Sequence, residues 1–219
     1  MFWGIGTGRC GTRSLAEYLG GLHEPKPWFK ELPAKYAAEE ITSEEMQELD
    51  DHIHERASMD TPIIVDLKHS MIVPLIMRAD PEARFIWPVR EPFATIHSLL
   101  CGGAWTDQDW NGSRKLHPKG GWKDEGRVDK AIWYYEHTYK NILGHAYKDA
   151  IILTVRTEDI PVHVNEYPKD KRYYFSKEEA KKIVEKCWGL YLTAAAPATD
   201  PRLLKEVIDA SGREDTSKG

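Results

Sequence analysis

Apolar residues along this chain fall into short continuous runs, separated by longer stretches in which they recur on one side of a helix. Residues 2–6 form such a run, closed by glycine, and predict a buried strand. From Thr12 the period changes: Leu15, Tyr18 and Leu19 lie at helical spacing, and Gly20-Gly21 end the helix. Thr42 and Glu45 form a capping-box pair ahead of a Met46, Leu49, Ile53 stripe. Residues 62–66 and 84–89 predict further strands, although Pro88 is an unusual strand residue. A short helix is expected around residues 74–79. Pro92 suits the first turn of another, which runs to about Cys101 and stops at Gly102-Gly103.

The spacing then predicts a helix over 128–143, a strand over 150–155, and a helix from the Ser176/Glu179 cap to Leu192, with a last helix over 201–210. Residues 102–126 hold no period and read as a long loop, while 211–219 read as a flexible tail. Continuous apolar strands alternating with helices predict an α/β fold of three layers, a central parallel β-sheet flanked by helices. The 219 residues suit one domain, 1–219. Ligands of such sheets bind beyond the C-terminal ends of the strands.

Composition narrows the function. The net charge of −5 offers no general attraction for nucleic acid or anionic membrane, so any basic group that matters is placed locally. Three cysteines, Cys10, Cys101 and Cys187, form no CxxC pair, which argues against a disulfide framework or a structural zinc site. A cytoplasmic location is the expectation. No apolar run reaches bilayer length, and residue 1 leads almost directly into the first strand with no leader pattern.

Two segments carry candidate chemistry. In Gly6-Thr7-Gly8-Arg9-Cys10-Gly11-Thr12-Arg13-Ser14 the glycines let backbone N–H groups turn inward around an anion, and the following helix offers its N-terminus. Arg9 and Arg13 add planar donor forks and Thr12 a hydroxyl. Gly6 and Gly11 have the spacing of a Walker A loop, but Thr12 stands where its lysine belongs. In the second segment, Arg90 ends a strand, Pro92 opens a helix, and Ser98 follows about two turns along. Such an arginine and hydroxyl can converge on one anion.

Together these segments resemble the nucleotide-binding elements of sulfotransferases that use 3′-phosphoadenosine 5′-phosphosulfate (PAPS), members of a P-loop-like fold. The resemblance covers residues 2 to about 160 and includes a weaker likeness at Val155-Arg156-Thr157-Glu158-Asp159-Ile160, expected to be architectural. It implies that Gly8, Arg9, Cys10, Gly11, Thr12, Arg13 and Ser14 bind the 5′-phosphosulfate and that Arg90 and Ser98 bind the 3′-phosphate. The implied cofactor is PAPS, with PAP (3′-phosphoadenosine 5′-phosphate) as product and no metal. Arg9 stands where many members have lysine. The basic loop found near the C-terminus of the cytosolic members is not evident.

An acceptor hydroxyl needs a base. Glu24, in Leu22-His23-Glu24-Pro25 after the first helix, is the first candidate, because this stretch resembles the His-Glu-Pro-like base segment of some sulfotransferases; His23, Glu31, Asp66 and His69 are rivals. Lys68 matches the lysine of a Glu-Lys-Thr-Pro segment in some carbohydrate sulfotransferases and is expected to face the donor. Trp105, Trp110 and Trp122 in the 102–126 loop suit a glycan or other small-molecule acceptor. The competing readings are a magnesium- and ATP-dependent P-loop kinase and a non-catalytic nucleotide-binding module.

Overall fold

The computed structural model describes residues 1–26, 29, 31–101, 126–146, 151–162 and 173–214. Five strands form one all-parallel sheet: β1 (Phe2–Gly4), β2 (Leu22–His23), β3 (Ile63–Val65), β4 (Arg84–Val89) and β5 (Ile151–Arg156), in the spatial order β2-β3-β1-β4-β5. The helices are α1 (Thr12–Leu19), α2 (Leu32–Ala37), α3 (Ser43–Ala57), α4 (Val73–Ala79), α5 (Pro92–Cys101), α6 (Arg127–Ala146), α7 (Lys177–Ile183), α8 (Gly189–Ala195) and α9 (Pro201–Glu214). A π turn at Val184–Trp188 joins α7 to α8, and short 3-10 turns follow β3 and β5.

Alternation along the strands sorts the core into two layers. Trp3, Phe85, Trp87 and Val89 pack with α3, α4, α5 and α6, through residues such as Leu49, Ile76, Leu99 and Tyr139. Phe2, Ile63, Val65, Ile86 and Val155 pack on the opposite face with Leu15 and Leu19 of α1 and Leu204 and Ile208 of α9. The sheet is therefore covered on both sides, which is why its strands carry unbroken apolar runs.

Local chemistry accounts for the ends. Thr42 and Ser176 each form a complete capping box, with Glu45 and Glu179 as the reciprocal partners. Gly20, left-handed at φ 70°, closes α1. Pro88 fits inside β4 for a geometric reason. Ile86 accepts from the Ile5 N–H at 2.9 Å, so residues of its parity present their backbone toward β1. The β1–β4 ladder ends at Gly4–Ile86, so the N–H that Pro88 lacks has no ladder partner to serve.

Two elements lie where no period signalled them. β2 has two residues and α2 has six, too short for a hydrophobic pattern to emerge. The last helix runs on to Glu214, past the expected end at 210. The loop at 102–126 lies outside the described residues except for Gly126, and so do residues 215–219 of the tail. Among the described residues no helix is long and apolar enough to cross a membrane.

Candidate functional site

The strand order puts the topological switch point between the C-terminal ends of β1 and β4, where sheets of this kind form their ligand crevice. The chain leaves β1 toward β2 on one side and leaves β4 toward β5 on the other, and ligands of open parallel sheets sit where the direction reverses. Arg9 follows one of these strands and Arg90 ends the other.

The turn from β1 into α1 is built on left-handed backbone. Arg9 has φ 71° and Gly11 φ 89°. Single left-handed residues among right-handed ones curl N–H groups toward a common point, the geometry of an anion nest. A Cβ at Gly11 would stand 2.6 Å from Thr157 Cγ2, so a side chain there is excluded by packing as well as by φ. Gly11, the N-cap of α1, makes no side-chain cap, and α1 opens with its positive dipole end at the loop after β1. At α5 the opposite holds: Glu91 accepts from the N–H groups of Phe93 (3.1 Å) and Ala94 (2.6 Å), so that helix start is closed by its own carboxylate.

The guanidinium of Arg90 donates through Nη1 to the carbonyl of Arg9 at 3.0 Å. The backbone of Arg90 is held from α6: its carbonyl accepts from Tyr135 (2.9 Å) and Tyr139 (3.1 Å), whose rings stack with centroids 4.1 Å apart. Thr157 Oγ1 lies within bonding reach of the carbonyls of both Cys10 and Val89. The segment after β5 thus ties the two candidate loops together.

Within the first loop the side chains divide. Arg9 is half-buried; burial lowers its proton affinity and the charge of Glu24 raises it. Cys10 points into the core, where burial pushes its thiol up to about 11 and Sγ donates to the Thr7 carbonyl at 2.7 Å. Only its backbone can meet a ligand. Thr12 and Ser14 are buried, and Thr12 Oγ1 lies 3.3 Å from His23 Nε2. Arg13 is exposed. Ser98 is half-buried on α5, on the same helical face as Glu91 and Ala94.

Glu24 follows β2 in left-handed backbone, φ 45°, with its N–H on the Val65 carbonyl at 2.9 Å. Burial raises its carboxyl above the usual range, and Asp66 adds to the rise; Lys68, Arg56 and Arg9 act in the other direction. Glu24 is therefore close enough to sense the charges of both Arg9 and Lys68, which come from two other loops.

The rival bases are engaged elsewhere. Glu31 pairs with Lys35 at 3.5 Å. Asp66 is buried, with Oδ2 2.8 Å from Arg56 Nη1 and Oδ1 accepting from the Lys68 N–H at 3.0 Å. Burial alone would raise its carboxyl, but the charge of Arg56 and that N–H, joined by His69 wherever its ring is protonated, outweigh it and hold it low. His69 is buried with Nδ1 2.9 Å from the Gly4 carbonyl and Nε2 2.9 Å from Arg56 Nη1. A carbonyl only accepts and a guanidinium only donates, so the ring is neutral with its proton on Nδ1. Burial first, with Arg56, brings its pKa down to about 4. His23 is half-buried, and burial likewise lowers its proton affinity.

Sequence reasoning missed three residues that build this site, Arg56, Tyr135 and Tyr139, while Thr157 lies in the segment expected to be architectural. A signal existed for Arg56, because the stripe 46, 49, 53 continues at 56 and aims a charged residue at the core. Tyr135 and Tyr139 are one helical turn apart but read as ordinary core aromatics. The acceptor-side tryptophans Trp105, Trp110 and Trp122 lie outside the described residues. No family model matches the chain, and neither a curated protein nor a solved structure matches it significantly. Fold and site together describe an α/β protein whose β1/β4 switch point is flanked by an uncapped helix start and two arginines.

Proposed function

We propose that this chain is a sulfotransferase of P-loop-like fold, moving a sulfuryl group from PAPS to the hydroxyl of a carbohydrate or other small-molecule acceptor. The observation that supports the reading is the Arg90–Arg9 bond, which joins the two candidate segments, as a ligand phosphorylated at both ends requires. The residues fit such a donor: a left-handed, glycine-lined turn and an uncapped α1 suit the 5′ end, and Arg90 with Ser98 suits the 3′-phosphate.

The donor supplies the sulfuryl group and a good phosphate leaving group. The protein's part is alignment and charge stabilisation. Arg9 and the N–H groups from Gly8 to Arg13 hold the 5′-phosphate and share the charge that grows on it as its oxygen–sulfur bond breaks. Arg9 stays protonated, so it stabilises this charge without giving up a proton. Glu24 takes the acceptor's proton as the new oxygen–sulfur bond forms, and its burial makes it a better base than a surface carboxylate. Lys68 balances the charge of Glu24 before transfer. The acceptor leaves as a sulfate ester and the donor as PAP.

The test is PAP binding by calorimetry, followed by transfer of labelled sulfate from PAPS to a panel of acceptors. Micromolar PAP binding with transfer supports the reading. Absence of PAP and PAPS binding overturns it, and binding without transfer to any acceptor favours a nucleotide-binding module. A kinase would need a carboxylate for magnesium, and Asp66 is bonded to Arg56 instead. Thermal shifts with ATP–magnesium and with PAP separate these two.

A further inference from the structure

Behind Glu24 lies a buried set of charged groups that the proposed transfer does not use. Arg56 of α3 has no exposed surface. Its Nη1 donates to Asp66 Oδ2 at 2.8 Å and lies 2.9 Å from His69 Nε2; its Nη2 donates to the Pro25 carbonyl at 2.9 Å. The guanidinium carbon sits 3.9 Å from the centroid of the Phe29 ring. Burying such a group is costly unless geometry and hydrogen bonding are both good, and an apolar side chain would fill the space without that cost.

Each contact reaches a different strand end. Asp66 follows β3, Pro25 lies just beyond β2, and His69 carries the network to Gly4 of β1. Glu24, immediately before Pro25, holds a left-handed φ of 45°, which a non-glycine residue keeps only when its surroundings enforce it. Proline has no N–H, so the Pro25 carbonyl is its one main-chain hydrogen-bonding group.

We propose that Arg56 is a positioning residue for Glu24: by gripping Asp66 and the Pro25 carbonyl with one fork, it fixes where the Glu24 carboxylate stands relative to Arg9 and Lys68. This rests on the reading of Glu24 as the base. The charged groups facing Glu24 are Asp66 and Lys68 from the end of β3, Arg56 from α3, and Arg9 from the loop after β1. A lysine at 56 would keep the charge but lose the planar fork that spans both partners.

Arg56→Lys and Arg56→Gln, made in the full chain, test this. The Glu24 carboxyl is followed by carbon-13 NMR, its signal assigned by its loss in Glu24→Gln, and amide exchange is read at residues 23, 24 and 26. Both variants should exchange there about tenfold faster or more, while β1 and β3 stay protected. The Glu24 midpoint should move by about half a unit or more in Arg56→Gln and stay displaced in Arg56→Lys, which keeps the charge and loses the fork; full restoration by lysine would mean that charge alone acts on Glu24 and would overturn the proposal. PAP affinity should stay within about threefold of the parent, since the phosphate loop keeps its contacts. Folded variants with parental exchange and an unmoved Glu24 midpoint overturn the proposal. Should Arg56→Gln fail to fold, Arg56→Lys decides on exchange at the same residues. Neither NMR readout needs nucleotide, so failure of the parent to bind PAP would count against the sulfotransferase reading alone.

Discussion

The guanidinium of Arg90 donates to the backbone carbonyl of Arg9 across 3.0 Å, tying the tip of β4 to the loop that follows β1. An arginine has five N–H donors, so one bond of this kind can orient the fork while others meet a phosphate. The same residue then shapes the first candidate loop and forms part of the second.

Arg90→Ala should therefore weaken PAP binding more than loss of a single phosphate contact would. A charged hydrogen bond contributes about 1.5–3 kcal/mol, which sets a floor of roughly tenfold in Kd. Arg90→Lys should recover part of this, because lysine keeps the charge without the fork. Calorimetric titration of PAP into both variants checks the order.

Gly11→Ala should destabilise the fold by about 1–3 kcal/mol, because it sets a Cβ 2.6 Å from Thr157 Cγ2 at a φ of 89°. Adding Thr157→Ser removes the clashing methyl but keeps the hydroxyl, so the double variant should regain part of the loss. What remains is the cost of the left-handed backbone. Urea denaturation of both variants measures the split.

Glu24 gives a prediction with opposite signs for activity and stability. Its carboxyl is raised by burial, so the folded state holds its proton to higher pH than the unfolded chain does. Stability should fall as pH rises through the window from the ordinary glutamate range to the raised value. Transfer should rise over that same window as the base ionises. Glu24→Gln should abolish transfer, yet be at least as stable as the parent at neutral pH. The pH–rate profile and thermal melts at pH 4 and 7 check both halves.

His69 should contribute to acid unfolding. Its folded pKa of about 4 lies below the ordinary 6.5, so the unfolded state binds the extra proton first. Stability is complete above pH 6.5 and is lost as pH falls toward 4, by about 3 kcal/mol over the window. His69→Gln should flatten that part of the stability curve in urea titrations between pH 4 and 7, whatever it costs at neutral pH.

Several features of this fold could be read from the chain alone, and each has a local cause. The five-residue apolar run at 2–6, the caps at Thr42 and Ser176, and the stop at Gly20 are set by neighbours within one turn or one strand. Arg9 and Arg90 were legible because glycines and a proline mark the turns beside them. Lys68 and Glu24 rested on resemblance to known segments, and their shared electrostatic environment emerges only when three loops meet.

What the sequence determined by itself is the alternation of strand and helix, the parallel sheet, and the two basic segments at strand ends, because periodicity and turn chemistry act over a few residues. What only the tertiary structure decided is the pairing of groups distant in the chain: Arg90 with Arg9, Thr157 with both loops, and Arg56 with Pro25, Asp66 and His69. Those contacts depend on strand order and on which residues share a buried space, and no local pattern along the chain encodes either.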